Sequence, residues 1–288
     1  MTRLFGFAQF DLAGTLAVAD GRYVVRDGEE ERVLVIETLA APAPPRRKRR
    51  RPREVDGDSS PATLPLTRVT AVRAFAPFDS AAEASLWLDR ATASEDSVDR
   101  VVAEGVDQLN RALHIHAVAS GEPGSQTLAP RLAVAVRLGF GSGEEVAHGD
   151  FSAARDVDMR GGSSPRASRA EELRPQERLA AVLGGRERLD ACETLLTRAR
   201  ADLDAGRERE AALQFRVGIE ALLVELRGAL TDPGHEEDMA TLESRRQEVG
   251  ELANAALRGE LDAEQAEGLR ELLGIGERVL RRRRVLRG

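Results

Sequence analysis

The sequence holds one cysteine, one lysine and few aromatic side chains. Cys192 is the sole cysteine, so no intrachain disulfide can form. Aromatic residues make up 3% of the chain, and all of them except Phe215 lie at or before Phe151. The back half must therefore pack with Leu, Ala and Val, the composition of helix on helix. No apolar run approaches the ~18 residues of a membrane-spanning helix. The start, Met1 to Phe10, has neither a clean apolar block nor a small-residue cleavage site, so no signal peptide is expected. These absences lead to the expectation of a soluble cytoplasmic protein with no membrane partner. Lys48 is the only lysine, and with abundant Ala and Gly the preference for Arg reflects high-GC codon usage. An excess of positive charge is also missing. The formal net charge is −7, whereas a dedicated nucleic-acid binder is basic overall or over one domain.

Hydrophobic residues at 42% over 288 positions are enough to build cores, and the length suggests about two domains. The fold class expected is α+β: a small antiparallel sheet with helices, followed by an all-α antiparallel helical bundle. Apolar segments at Leu4–Leu12, Arg22–Arg26 and Arg32–Leu39 read as strands. Asp20-Gly21 and Asp27-Gly28 mark turns between them, and a meander is the simplest arrangement. Residues 41–63, APAPPRRKRRRPREVDGDSSPAT, have little to bury and are expected to be a disordered linker inside a domain spanning 1–155.

A strand resumes over Leu66–Phe75. Ser80 and Glu83 form a capping box for a short helix through Trp87 and Leu88. A long helix follows over Ser97–Ala119, with Val102, Val106, Leu109 and Leu113 on one face. Leu132, Val134, Val136 and Leu138 alternate with Arg131, Ala133, Ala135 and Arg137, which predicts a half-buried strand with arginine outward. Residues 156–172 are polar and are read as a linker to a helical domain over 173–288. There a short helix ends at Gly184-Gly185, and four long helices are expected. Their stripes run through Leu189–Leu203, Ala211–Leu226, Leu242–Ala256 and Leu269–Val279. Asp262 and Gln265 form a capping box for the last.

Gly206, Ala211, Phe215 and Gly218 carry a resemblance to the second half of a tetratricopeptide repeat over about 192–225. Leu195 and Ala199 fit its first helix, while Arg198 and Asp202 depart from it. No second copy is present, and an isolated αα-hairpin in a bundle gives much the same pattern. The whole layout resembles that of actinobacterial proteins without an assigned activity, which implies an architecture and no function.

Candidate chemistry is sparse. Gly139-Phe-Gly-Ser-Gly143-Glu-Glu follows the best strand but matches neither a P-loop nor a dinucleotide fingerprint, so a tight turn is expected. His114 and His116 stand about 200° apart on a helix and cannot share one ligand there. His116 and His148 are candidates for a pocket in the front domain, without a metal-binding signature. Cys192 lies on an apolar stripe and reads as a buried structural thiol. Glu236-Glu237-Asp238 opens a helix, where acidic groups suit the dipole. No catalytic set, cofactor or metal is expected.

Two basic runs remain: Arg46, Arg47, Lys48, Arg49, Arg50 and Arg51 in the linker, and Arg281, Arg282, Arg283 and Arg284 in the tail. The functional expectation is a non-enzymatic adaptor or scaffold that contacts an unknown protein partner through its helical domain. The alternative is non-specific nucleic-acid binding through the basic runs.

Overall fold

The computed structural model describes residues 3–27, 30–39, 65–122, 127–159 and 169–287. The chain divides into two units, Met1–Gly162 and Ser163–Gly288. The linker 41–63, with Arg46–Arg51, lies outside the described residues.

The first unit is α+β. Its strands are β1 (Leu4–Ala13), β2 (Gly21–Asp27), β3 (Glu30–Leu39), β4 (Leu66–Val72), β5 (Ala133–Ser142) and β6 (Ala153–Val157). They form one antiparallel sheet in the order β2-β3-β4-β1-β5-β6. Of the meander expected for the first three strands, only the β2-β3 pairing holds. β1 is not beside β2 but central, between β4 and β5. Its composition explains the place: Phe7 is buried on one face and Ala8, Phe10 and Leu12 on the other, and a strand apolar on both faces belongs inside a sheet.

Helices α1 (Ala81–Ala91) and α2 (Glu95–Ser120) cover one face of this sheet. Ser80 caps α1 as expected, but Glu83 returns its bond to the Asp79 amide. Leu88, Val102, Val106, Leu109 and Leu113 pack on Ala8, Phe10, Leu34, Ile36, Val69 and Leu138. Gly105 lets α2 approach closely, because a Cβ there would stand 3.0 Å from the Phe10 ring and 3.1 Å from Ala8.

The opposite face is covered only in part. A short helix, α3 (Gly143–Ala147), sets Val146 against Phe7, Val35 and Val72. Phe151 tilts over Phe7 with ring centroids 6.0 Å apart. The expected tight turn at Gly139–Glu145 is instead the end of β5 running into α3, where Ser142 and Glu145 cap each other.

The alternation predicted over 131–138 holds for Val136 and Leu138, which are buried, and fails for Leu132 and Val134, which are 57% and 53% exposed. Asp11 pairs with Ala135 but Leu12 with Ala133, so Val134 is the extra residue of a bulge. That one-residue shift turns Ala133 inward and Val134 outward. β6 continues to Val157, inside the stretch expected to be linker.

The second unit contains α4 (Arg169–Leu183), α5 (Ala191–Asp204), α6 (Glu208–Glu225), α7 (Pro233–Ser244), α8 (Arg246–Arg258) and α9 (Ala263–Arg287). Helix thus begins at Arg169, ahead of the expected 173. The core joins Leu196 and Ala199, Phe215, Ile219 and Leu222, Leu242, Val249 and Leu252, and Leu269 and Leu272. The expected third long helix is two: α7 and α8 meet at Arg245, whose φ of −93° and ψ of 10° leave helical geometry. Periodicity does not see the break, which coincides with ion pairs from Arg245 to Glu248 and Glu271 at 2.7 Å each. The Asp262–Gln265 capping box is formed, with bonds of 2.9 and 3.1 Å.

Candidate functional site

The partly covered face of the sheet carries a row of polar side chains. Asp11 of β1 lies between Arg68 of β4 and Arg137 of β5. Arg68 donates to it from Nε and Nη2 at 2.9 and 3.3 Å. Arg137 donates to Asp11 Oδ2, which Arg68 Nη2 also reaches, at 2.7 Å and pairs with Asp156 of β6 at 3.0 Å. Gln9 is fully buried; it donates to Thr70 Oγ1 at 3.0 Å and to the Gly149 carbonyl at 2.8 Å, and accepts from Arg137 at 3.3 Å. Burial raises the Asp11 carboxyl, but hydrogen bonds and charge from Arg68 and Arg137 outweigh it and hold its pKa below the ordinary value. Both Asp11 oxygens are therefore engaged by arginine. The row acts as a clip that joins β4, β1, β5 and the loop at Gly149.

His116 and His148 do not share a pocket. His116 is half-buried on α2, over the sheet face that carries Ala8 and Phe10. His148 is exposed at the end of α3, over the face that carries Phe7 and Gln9, and its Nδ1 lies 2.9 Å from the Glu144 carbonyl. The sheet stands between them. Sequence spacing could not show this, because the side that a helix takes is set by its connections.

The basic tail lies on α9 and faces acidic groups of the same unit. Arg282 bonds to Asp238 and to the Gly234 carbonyl, and Arg278 pairs with Asp238 at 3.2 Å. Arg283 pairs with Asp190, and Arg284 reaches within 3.9 Å of Glu193. Arg281 is exposed. The tail belongs to the alternative reading, as a nucleic-acid contact; in the structure Arg282 and Arg283 hold α9 to α7 and to the start of α5. Asp238 likewise answers two arginines rather than only the helix dipole.

Cys192 is fully buried, and burial followed by the neighbouring Glu225 pushes its thiol up to about 12. A thiol so protonated is no nucleophile. The Glu225 carboxylate instead accepts the Ala191 and Cys192 amides at 3.2 and 3.0 Å and caps α5 from another helix.

The second unit offers an open groove of about 570 Å³ between α6 and α8, lined by Arg216, Glu220, Arg246, Gly250, Glu251 and neighbours. The two helices run antiparallel: Arg246 lies beside Glu220, Gly250 beside Arg216, and Arg209 donates to the Ala256 carbonyl at 2.9 Å. Gly250 makes room for the Arg216 guanidinium, which a Cβ there would meet at 2.9 Å. Arg246 binds Glu220 through two bonds and holds its pKa below the ordinary value. Beside this pair, Val217 is 56% exposed and Val224 78% exposed. They are seven residues apart, about 20° around the helix, so they form one strip.

Some signals for these residues were present in the sequence. Gln9 and Asp11 alternate with Phe10 and Leu12, which marks polar groups on one face of an otherwise apolar strand. Val217 and Val224 fall off the stripe Ala211, Phe215, Ile219, Leu222, Leu226. The neighbours that complete each cluster come from tertiary register and had no sequence signal. No family model matches the chain, and no curated protein or solved structure is similar to it. The fold itself defines the class: a unit with an antiparallel sheet and covering helices, followed by a helical unit.

Proposed function

We propose that this chain is a non-enzymatic adaptor or scaffold of the cytoplasm, working through protein contacts of its helical unit. The observation that carries this reading is the pair of exposed valines on α6, Val217 and Val224, one helical turn to either side of Glu220 of the α6–α8 groove. Exposed apolar groups one turn from an open groove favour a macromolecular partner, since burying them is favourable. We read α5–α6 as a tetratricopeptide-like hairpin. Ala211 and Phe215 pack inward, and Gly218 sits so close to α5 that a Cβ would meet Leu195 Cβ at 3.2 Å. The lone buried thiol is consistent with a reducing compartment. Nucleic-acid binding now rests on Arg46–Arg51, because Arg282 and Arg283 have internal partners.

The test uses the full chain and its Val217→Asp/Val224→Asp variant as baits in a cell extract. Protein partners retained by the first and lost by the second support the reading. Identical partners for both, or none, would remove its basis. Submicromolar nucleic-acid affinity near physiological salt, lost when Arg46–Arg51 become Ser, would favour the alternative.

A further inference from the structure

We infer that the outer edge of β2 takes an extended acidic segment of a protein partner as an additional strand of the sheet. β2 ends the strand order, so among the described residues only β3 pairs with it. In an antiparallel ladder every second residue turns its N–H and C=O away from its neighbour, and on an end strand these groups have no strand to bond. The sheet is also unfinished there on both faces. Tyr23 and Val25 lie on the face that carries Leu34 and Ile36, but they are only half-buried, whereas Leu34, beside Tyr23 on β3, is fully buried. On the opposite face Val24 ends an apolar row that runs through Val33, Val72 and Phe7, and it is 61% exposed. A strand laid against β2 would cover all three side chains.

Charge says what kind of segment fits. Arg22 and Arg26 are exposed and flank Val24 on its face. Each spends only its Nε: Arg22 donates to the Ala147 carbonyl at 2.7 Å and Arg26 to Glu31 at 3.0 Å. Their Nη groups bond to none of the described residues. A carboxylate opposite each arginine would find free donors and the opposite charge. The fitting segment therefore has acidic residues four apart, with apolar residues between them to meet Tyr23, Val24 and Val25. A second copy of the chain does not fit. A two-fold through Val24, which pairs the whole of both strands, sets Arg22 of each copy against Arg26 of the other, and like charges directly opposite are destabilising. This surface belongs to the first unit and does not depend on the α6 valines.

Calorimetric titration of the full chain with the peptide Thr-Glu-Val-Val-Val-Glu-Thr tests the idea. The expected result is saturable binding, weakened by about tenfold or more when Lys replaces both Glu of the peptide. Methyl groups on one set of alternate peptide amides should abolish binding and on the other set should not, because only one edge of an added strand faces β2. In Arg22→Glu/Arg26→Glu the preference should reverse to the Lys peptide, a gain that a merely damaged fold could not show. Val217→Asp/Val224→Asp should bind the peptide as the parent does; loss of binding there would place the site on the helical unit and overturn the inference. No binding up to about 1 mM peptide overturns it as well. So does equal affinity for the Glu and Lys peptides, an equal effect of both methyl sets, or no reversal in an arginine variant with native circular dichroism. A dimer that Val24→Lys dissociates would put a second copy on the edge, against the inference. Binding seen only after Glu54, Asp56 and Asp58 become Ser would give the edge to the chain's own acidic run and overturn it equally.

Discussion

The two units use charge differently. In the sheet unit, Asp11 is 5% exposed and is clamped from both neighbouring strands by Arg68 and Arg137. In the helical unit the ion pairs join helix surfaces, as Arg200 to Glu277, Arg270 to Glu208 and Arg245 to Glu271 do. A one-residue slip of β1 would turn Asp11 toward the apolar face that packs on α1 and α2, so the buried charge fixes register. Exposed pairs between helices add little each, because solvent screens them and side-chain entropy opposes them. Register among the helices comes from shape, with Phe215 the one aromatic group at their centre.

The largest expected effect breaks the helical side. Phe215→Ala should destabilise the second unit by about 3–5 kcal/mol, the range for removing a fully buried aromatic side chain. Chemical denaturation followed by far-ultraviolet circular dichroism measures it. A change below about 0.5 kcal/mol, the size of a surface substitution, would deny Phe215 its central place.

Next comes the sheet. Asp11→Ala removes the carboxylate that Arg68 and Arg137 share on a partly covered face and should destabilise by about 2–3 kcal/mol, the scale of lost bonds to a charged group. The effect has a pH signature. Arg68 and Arg137 depress the Asp11 pKa in the folded state, so the contribution is present above the unfolded value of about 3.9 and is lost as pH falls through the lower folded value. The stability gap between the parent and Asp11→Asn should therefore hold at neutral pH and close below about pH 4. A gap that persisted there would mean that packing, not charge, is what the substitution removes.

His235 bears on the same comparison. It is 2% exposed on α7, and neither ring nitrogen has a hydrogen-bond partner among the described residues. A buried polar group without a partner opposes folding, so His235→Leu should be neutral or stabilising by up to about 1 kcal/mol. A loss of about 2 kcal/mol in thermal or denaturant unfolding would reveal a partner for the ring and place a second buried polar clip in the helices.

The sequence made the elements legible where one period dominated. The α2 stripe Val102, Val106, Leu109, Leu113 is buried as the spacing predicts, and so are Cys192, Leu196, Ala199 and Leu203 of the α5 stripe, whereas its first expected member, Leu189, precedes the helix and is 58% exposed. Periodicity failed where a tertiary feature cut across it: the bulge at Val134, the break at Arg245 and the central place of β1. The α+β class was readable because composition shifts from Phe-containing strands to Leu and Ala stripes. The site was less so. Asp11 showed as a polar residue in an apolar strand, but its arginine partners lie 57 and 126 positions away along the chain. The tail arginines looked available because their partners Asp190 and Asp238 are also remote.

The smallest expected effect sharpens the comparison most. Arg245 and Glu271 are joined at 2.7 Å, with side chains 27% and 60% exposed. Arg137 and Asp11 are joined at the same distance, with side chains 23% and 8% exposed. If burial decides what an ion pair contributes, two double-mutant cycles should separate the pairs despite their equal length. The Arg245–Glu271 cycle should give a coupling of about 0.5 kcal/mol that fades in molar salt, as for other exposed pairs. The Arg137–Asp11 cycle should give more than about 1.5 kcal/mol and change little with salt, since screening ions cannot enter between the strands. Because Arg245 also binds Glu248, its cycle is run on Glu271→Gln with Arg245→Met, with Glu248 unchanged in every corner. Equal couplings in the two cycles would mean that both units rely on charge alike, and the distinction between a sheet registered by ion pairs and helices registered by shape would be lost.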